Sequence, residues 1–185
     1  MKTWRKKDFP VGQIRRYLEP GPIVLVSSHW KGQDNIMTMG WHMVMAFEPS
    51  RIGCYIWNAN HSYQMIRRSR ECVINIPTCD LADQVIAIGN SSGSEVDKFA
   101  RFKLTPAPAE QVRAPLIAEC YANLECKLVD TSLLRKYGLF VLEVVKAHVP
   151  ATPKYPQTLH YRGEGVFMVS GRNLSFRKKF LPQNL

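Results

Sequence analysis

Short apolar runs that alternate with polar positions dominate the chain, and they predict more strands than helices. Residues 23–28 (IVLVSS) are β-branched and apolar at their centre, which predicts a buried strand. Residues 35–47 predict one longer strand, in which the isolated Gly40 marks the close approach of a backbone or a ligand. Further strands are predicted over residues 52–57, 72–76, 120–130, 137–149 and 165–170. So many strands predict a closed antiparallel barrel, because closure removes exposed sheet edges.

Helical spacing is confined to short segments. Apolar positions in residues 11–18 predict a lead-in helix, which the Pro-Gly-Pro sequence at 20–22 ends. Ser62 is a natural N-cap for a helix that runs to Arg70. The Gly- and Ser-rich residues 89–94 predict a flexible loop, of the kind that often closes over a ligand. Two further helices are predicted on either side of this loop, over residues 81–88 and 95–102.

Small polar residues fill the connection between the strand at 52–57 and the helix at Ser62. A helix start has unpaired N–H groups and the positive end of the helix dipole, so it attracts anions. Arg67 and Arg68 add positive charge to the same helix. These residues predict a phosphate site, with an ordinary capped strand-to-helix loop as the alternative.

Length and composition predict a single domain over residues 1–185, with basic N- and C-terminal tails. The chain has 185 residues, of which 45% are hydrophobic, and this suits one sizeable core. No run approaches the length of a membrane span, and the charged N-terminus is not followed by an apolar segment. We therefore expect a cytoplasmic protein without a membrane partner.

The formal charge of +10 raises the question of a nucleic-acid partner, since basic patches bind polyanions. Much of this charge lies near the two ends, and no helix-turn-helix, zinc-finger or RNA-recognition signature accompanies it. A basic β-barrel that binds nucleic acid remains an alternative, but we expect no nucleic acid and a general attraction for anionic nucleotides. The five cysteines form no CxxC pair, which indicates buried reduced thiols.

Side chains for acid–base or metal chemistry do not occur at diagnostic spacing. There is no Ser-His-Asp set and no pair of carboxylates, and His29 and His42 lack a third metal ligand. We therefore predict no catalytic side chain and no metal site. This pattern suits a protein whose cofactor carries the redox chemistry, because such a protein has only to bind and orient the cofactor.

Several motifs follow one another in a characteristic order: TMGWHM at 38–43, FEP at 47–49, NHSY at 60–63, CVINIP at 72–77, DKFARFKL at 97–104 and AECYANLECKLVD at 118–130. Over about residues 15 to 170, the chain resembles flavin reductase-like proteins, and among them the flavoredoxin-like branch. The resemblance implies a mainly β fold with short helices (α+β), an FMN-binding split β-barrel of Greek-key antiparallel strands. It also implies a homodimer.

The resemblance assigns roles to individual positions. The strand that faces the isoalloxazine ring matches Thr38, Met39, Gly40, Trp41 and His42. The phosphate and ribityl positions match Asn58, Asn60, His61, Ser62 and Tyr63. The loop and helix over the flavin match Ser92 or Ser94, Lys98 and Phe99. The wall on the nicotinamide side matches His160, Tyr161 and Arg162.

The implied function is that of an FMN-dependent oxidoreductase, which takes a hydride from NAD(P)H and passes it to a flavin or another acceptor. The chain has Trp41 and Gly40 where many short flavin reductases have serines, and it has a long segment after Ser170. The alternative is therefore a flavoredoxin-like FMN electron carrier, which does not use NAD(P)H and whose basic surface docks an acidic partner.

Overall fold

The computed structural model describes residues 3–14 and 21–181, and an antiparallel β-sheet dominates it. The strands are β1 Lys6–Asp8, β2 Val24–Trp30, β3 Gln33–Met39, β4 His42–Ala46, β5 Arg51–Tyr55, β6 Glu71–Ile76, β7 Pro106–Ala107, β8 Leu116–Ile117, β9 Ala122–Asp130, β10 Leu139–Pro150, β11 Leu159–Gly163 and β12 Val166–Val169. The helices are α1 His61–Ser69, α2 Ala82–Gly89, α3 Lys98–Phe102 and α4 Leu134–Tyr137, with 3-10 turns at Val11–Gln13, Cys79–Leu81 and Arg177–Lys179. The predicted mainly β fold with short helices is confirmed.

The main sheet has the strand order β3-β2-β6-β9-β10-β5-β4, and β1 also pairs with β10. Its first and last strands, β3 and β4, are consecutive in the chain and are joined by Gly40 and Trp41 alone. The sheet therefore curves round until its two ends meet, which makes an open barrel. The hairpins β7-β8 and β11-β12 lie outside this sheet.

The single long strand predicted over residues 35–47 is wrong, because the chain breaks at Gly40 and Trp41. β3 pairs with β2 on one side of the break, and β4 pairs with β5 on the other. Gly40 packs so closely that a Cβ atom there would lie 2.9 Å from Cδ1 of Ile23. The close neighbour of Gly40 is therefore a side chain, where a glycine in a strand indicated the approach of a backbone or a ligand.

Strand β2 is buried on both faces. Val24 and Val26 pack inside the barrel with β6, β9 and β10, whereas Ile23 and Leu25 pack on the outer face beneath α2 and α3. Because successive side chains of a strand point to opposite faces, burial on both sides requires an unbroken apolar run. The sheet, with α2 on its outer face, positions the cavities described below.

Several element boundaries differ from the prediction. α1 begins at His61 with Asn60 as its N-cap, so Ser62 is the second helical residue and not the cap. α3 begins at Lys98, because the Asp97 carboxylate accepts the N–H of Ala100 at 3.1 Å and caps the helix there. The lead-in helix is a 3-10 turn over Val11–Gln13, and the rest of that prediction, residues 15–18, lies outside the described residues.

The predicted basic N-terminal tail needs correction. Lys6 and Lys7 belong to β1, which pairs with β10, and Nζ of Lys6 donates to the carbonyl of Ala118 at 3.0 Å. All five cysteines are free and four are buried, in agreement with reduced thiols in the core. Burial raises the pKa of the Cys54 and Cys126 thiols, which keeps them unreactive. None of the helices in the described residues is long and apolar enough to cross a membrane.

Candidate functional site

A polar cavity of about 260 Å³ lies between strand β3, the start of α1 and the loop that follows α2. Its walls come from three separate parts of the chain, which the curved sheet brings together. The lining residues are Asn35, Met37, Thr38, Ala59, Asn60, His61, Ser62, Ile88, Gly89, Ser91, Ser92, Gly93 and Lys98.

The start of α1 opens into this cavity. The N-cap residue Asn60 has extended backbone angles (φ −69°, ψ 135°), and its side chain makes no capping hydrogen bond. Of the first-turn N–H groups, that of Tyr63 bonds the carbonyl of Asn60 at 3.0 Å. His61 and Ser62 line the cavity at the positive end of the helix dipole. This end of the cavity is suited to an anion.

Asn35 on β3 supports the start of α1 from below. Its Nδ2 atom donates to Oγ of Ser62 at 2.7 Å. Its Oδ1 atom is buried and has no hydrogen-bond partner among the described residues. Gly93 lies against this oxygen from the loop after α2, so closely that a Cβ atom on Gly93 would overlap the Asn35 amide. Asn35 therefore contacts two walls of the cavity.

Lys98 brings a buried cation to the same cavity. Its Nζ atom donates to the carbonyl of Ile88, in the last turn of α2, at 3.0 Å. Desolvation by burial lowers the pKa of Lys98 from 10.5 to about 8. The ammonium is therefore poorly compensated, and a bound anion would favour its charged form.

A second, apolar cavity of about 430 Å³ adjoins the polar one, since Thr38 and Gly89 line both. Oγ1 of Thr38 donates to the carbonyl of Val85 at 2.7 Å, which ties β3 to α2 at this junction. The remaining lining residues are Ile23, Gly40, Trp41, Val85, Ile86, Asn90, Tyr161, Gly165 and Phe167. Together the two cavities offer a charged end and an apolar end.

The mouth of the apolar cavity is aromatic. The side chain of Trp41 is 71% exposed, and its ring lies 5.2 Å from that of Tyr55. Tyr161 is also exposed and packs against Phe167 with ring centroids 5.0 Å apart. A planar ligand in this cavity would therefore have aromatic neighbours from the β3–β4 connection, β11 and β12.

The structure brings together nine of the residues that the sequence singled out. They line the two cavities: Thr38, Gly40, Trp41, Asn60, His61, Ser62, Ser92, Lys98 and Tyr161. Ser94 lies beside them, because its hydroxyl bonds that of Ser92 at 2.7 Å and it lines an adjoining cavity together with Phe99. Of the residues predicted at the phosphate and ribityl positions, three thus line the polar cavity: Asn60, His61 and Ser62.

Other predicted residues are directed elsewhere. The side chains of Met39 and Tyr63 pack in the barrel core, so only their backbone atoms are available to a ligand. A ring nitrogen of His42, Nε2, lies 2.7 Å from the carbonyl of Pro22, and burial lowers the pKa of this histidine. Phe99 is mostly buried beneath the sheet, and Asn58 is exposed on a turn outside both cavities.

The three residues predicted on the nicotinamide side do not all face the apolar cavity. Tyr161 lines the apolar cavity, but His160 is buried, and its Nε2 lies 2.9 Å from Oγ1 of Thr158. Arg162 is exposed next to Met168. Neighbouring residues of a strand point to opposite faces, so His160 and Tyr161 cannot both face the same cavity.

Sequence reasoning missed Asn35, Ser91, Gly93 and the apolar Ile86. Asparagine is unfavourable in strands, so a single buried Asn in the β3 pattern was the signal that could have found Asn35. In the described ranges, no group of three or more His, Cys, Asp or Glu residues could hold a metal ion. His29 lies 2.6 Å from the Asp34 carboxylate instead.

Comparisons with known proteins agree with this architecture. A family model for the flavin reductase like domain matches residues 15–168. An uncharacterized protein of Archaeoglobus fulgidus is 32% identical over 135 residues, which cover 73% of this chain and 76% of that protein. Among solved structures, an FMN-binding domain of a flavin reductases-like enzyme from Shewanella baltica is similar with a TM-score of 0.87 at 24% identity, covering 95% of this chain and 99% of that one. Flavoredoxin of Desulfovibrio vulgaris has a TM-score of 0.78 at 24% identity, covering 85% and 90%. The predicted split-barrel fold is confirmed.

Proposed function

The chain belongs to the flavin reductase-like family, and from that premise we propose that it is an FMN-binding oxidoreductase. The observation that carries this proposal is that a polar cavity with a buried cation adjoins an apolar cavity, with Thr38 and Gly89 lining both. FMN has a phosphate at one end and a planar ring at the other, joined by a polar ribityl chain. The two cavities match this order of chemical groups.

The phosphate end is held by α1 and Lys98 in this proposal. The open start of α1 offers N–H groups, Ser62 offers a hydroxyl, and Lys98 offers an ammonium group. Charge-assisted hydrogen bonds of this kind contribute about 1.5 to 3 kcal/mol each. The unpartnered Oδ1 of Asn35 is an acceptor, which suits a hydroxyl of the ribityl chain and not the phosphate.

The ring end lies between the Gly40 backbone and the aromatic mouth. Bound FMN supplies the redox chemistry, because it can accept a hydride and return electrons to an acceptor. The protein orients the ring and leaves one face open next to Trp41 and Tyr161, where a nicotinamide ring can stack. No carboxylate lines the two cavities in the described residues, and positioning alone can lower a barrier by about 7 to 11 kcal/mol.

We propose that the protein is a reductase whose hydride donor is NAD(P)H. The second candidate function is an FMN electron carrier that does not use NAD(P)H. The exposed aromatic mouth also suits an electron carrier, since a docked partner protein could pass electrons to an exposed flavin edge. The net charge of +10 would attract an acidic partner. The two candidates differ in whether a nicotinamide nucleotide reduces the bound flavin.

We also propose a homodimer whose interface borders the flavin. Met43 and Met45 lie on one face of β4 at alternating positions, Trp41 directly precedes this strand, and all three side chains are exposed. Trp57 and Tyr137 are also exposed. An apolar surface of this kind is typical of a protein–protein interface. Trp41 also lines the apolar cavity, so a partner on this face would stand next to the ring.

The test begins with FMN titration of the purified protein, in which flavin fluorescence reports binding. We expect His61→Ala combined with Ser62→Ala to weaken FMN binding at least tenfold, because two donors at the start of α1 are lost. Gln64→Ala is the control, since Gln64 is exposed on the same helix and outside the cavity. An unchanged affinity in the double variant would place the phosphate elsewhere.

The second step is anaerobic addition of NADH or NADPH to the FMN-loaded protein. Bleaching of the flavin absorbance by either nucleotide supports the reductase. If dithionite reduces the bound flavin but neither nucleotide does, the proposed function changes from a reductase to an electron carrier.

A further inference from the structure

We propose that Asn35 is a positioning residue, which turns the hydroxyl of Ser62 towards the phosphate of the flavin. This inference rests on the proposed function, because it assigns the phosphate to the polar cavity. It concerns a residue on a different element from the helix that binds the phosphate.

The direction of the Ser62 hydroxyl follows from its partner. A serine hydroxyl has one proton to donate and lone pairs to accept. Nδ2 of Asn35 donates to Oγ of Ser62 at 2.7 Å, so one lone pair is occupied from below. The Ser62 proton is then free to donate on the cavity side, where the N–H groups of α1 also point.

The opposite orientation of the Asn35 amide would make the site unfavourable for a phosphate. If the side-chain oxygen of Asn35 faced Ser62, it would accept the hydroxyl proton, and a serine lone pair would face the phosphate instead. Such an arrangement repels an anion at the place where the helix attracts one. The side chain of Asn35 is only 2% exposed, so water cannot readily substitute for its amide.

Gly93 holds the other side of the amide. A Cβ atom at this position would overlap Oδ1 of Asn35 and come 3.1 Å from Nδ2, so a larger residue must displace the amide. The backbone of Gly93 has no left-handed φ angle, and an alanine is therefore tolerated by the backbone itself. Any effect of Gly93→Ala at this contact must pass through Asn35.

The first test compares FMN with riboflavin, which has the same ring and ribityl chain but no phosphate. We expect Asn35→Ala to weaken FMN binding about tenfold and riboflavin binding less than twofold. Ser62→Ala should give a similar loss, and the double variant should lose no more than either single variant, because both changes remove one interaction. Asn35→Asp should be the weakest binder, since its carboxylate accepts the Ser62 proton and repels the phosphate.

The second test leaves strand β3 unchanged, and it serves also if Asn35→Ala folds poorly. Gly93→Ala should weaken FMN binding in the wild-type background and have no further effect beside Asn35→Ala. Melting curves of each protein without ligand check that the fold is retained.

The outcomes separate this inference from the proposed function. If the wild type binds FMN but the losses from Asn35→Ala and Ser62→Ala multiply, or riboflavin is affected as strongly as FMN, the positioning role is overturned and the proposed function stands. If the wild type binds no FMN, the proposed function is overturned and this inference falls with it.

Discussion

The affinity for FMN should fall with pH because of Lys98. This lysine lines the polar cavity, and burial lowers its pKa to about 8 in the free protein. A bound phosphate favours the ammonium form, so binding raises the pKa of Lys98 again. The second ionisation of a phosphate monoester lies near pH 6, and the ligand therefore keeps its charge between pH 7 and pH 9.

The magnitude follows from the fraction of charged lysine. With a pKa of about 8, Lys98 is mostly charged at pH 7 and about one-tenth charged at pH 9. The dissociation constant for FMN should then be about tenfold higher at pH 9 than at pH 7, a difference of about 1.4 kcal/mol in binding free energy. Lys98→Met should bind FMN about 10- to 100-fold more weakly at pH 7 and show little change up to pH 9.

The stability of the ligand-free protein should rise as the pH rises, whereas the affinity for FMN falls. The folded-state pKa of Lys98 is lowered from 10.5 to about 8, so below pH 8 the folded protein carries a penalty of about 3 kcal/mol for the buried charge. That penalty shrinks as the pH rises from 8 to 10.5. Lys98→Met removes both the penalty and the bond to Ile88, and we expect its melting temperature at pH 7 to be a few degrees higher than that of the wild type.

Fluorescence titrations at pH 7, 8 and 9 provide the assay, with riboflavin as the ligand without a phosphate. Riboflavin should bind the wild type with the same affinity throughout this range. The reasoning is refuted if the wild type binds FMN equally well at pH 7 and pH 9, or if Lys98→Met keeps the pH dependence.

Three further predictions concern other parts of the fold. Met43→Glu with Met45→Glu should convert a dimer into a monomer of 21.2 kDa in analytical ultracentrifugation, because the new charges lie on the proposed interface. A wild type that is itself a monomer well above micromolar concentration contradicts the homodimer. Glu125→Gln should destabilise the fold by about 3 kcal/mol in urea unfolding, since this fully buried carboxylate accepts three backbone N–H groups and pairs with His148 at 2.7 Å. Burial alone would raise the pKa of Glu125, but these bonds lower it, so the stabilisation is present at neutral pH and is lost as the pH falls through the lowered pKa. His160→Ala should lower stability by about 1 kcal/mol and leave the stopped-flow rate of flavin reduction within threefold, because His160 bonds Thr158 inside the hairpin; a complete loss of reduction with FMN still bound would make it an essential chemical residue.

Periodicity along the chain by itself determined most strands. The segment 23–28, with its apolar run at 23–26, predicted a buried strand, and β2 is indeed covered on both faces. The small polar residues before the helix at 61–69 predicted an anion site, because a helix start has the same dipole in any fold. Both predictions depend on neighbouring residues alone, because neither periodicity nor a helix start requires distant contacts.

Tertiary structure decided which distant residues meet and which way they face. Asn35 meets Ser62 across 27 positions because α1 packs against the sheet, and Lys98 reaches the end of α2 because α2 and α3 pack together on the outer face of the sheet. Periodicity cannot say which face of the short strand β11 turns to the cavity, so His160 and Tyr161 were assigned together although one is buried and the other is exposed. The break at Gly40 is likewise a consequence of closure, since the two ends of the sheet meet there and the backbone must pass close to Ile23.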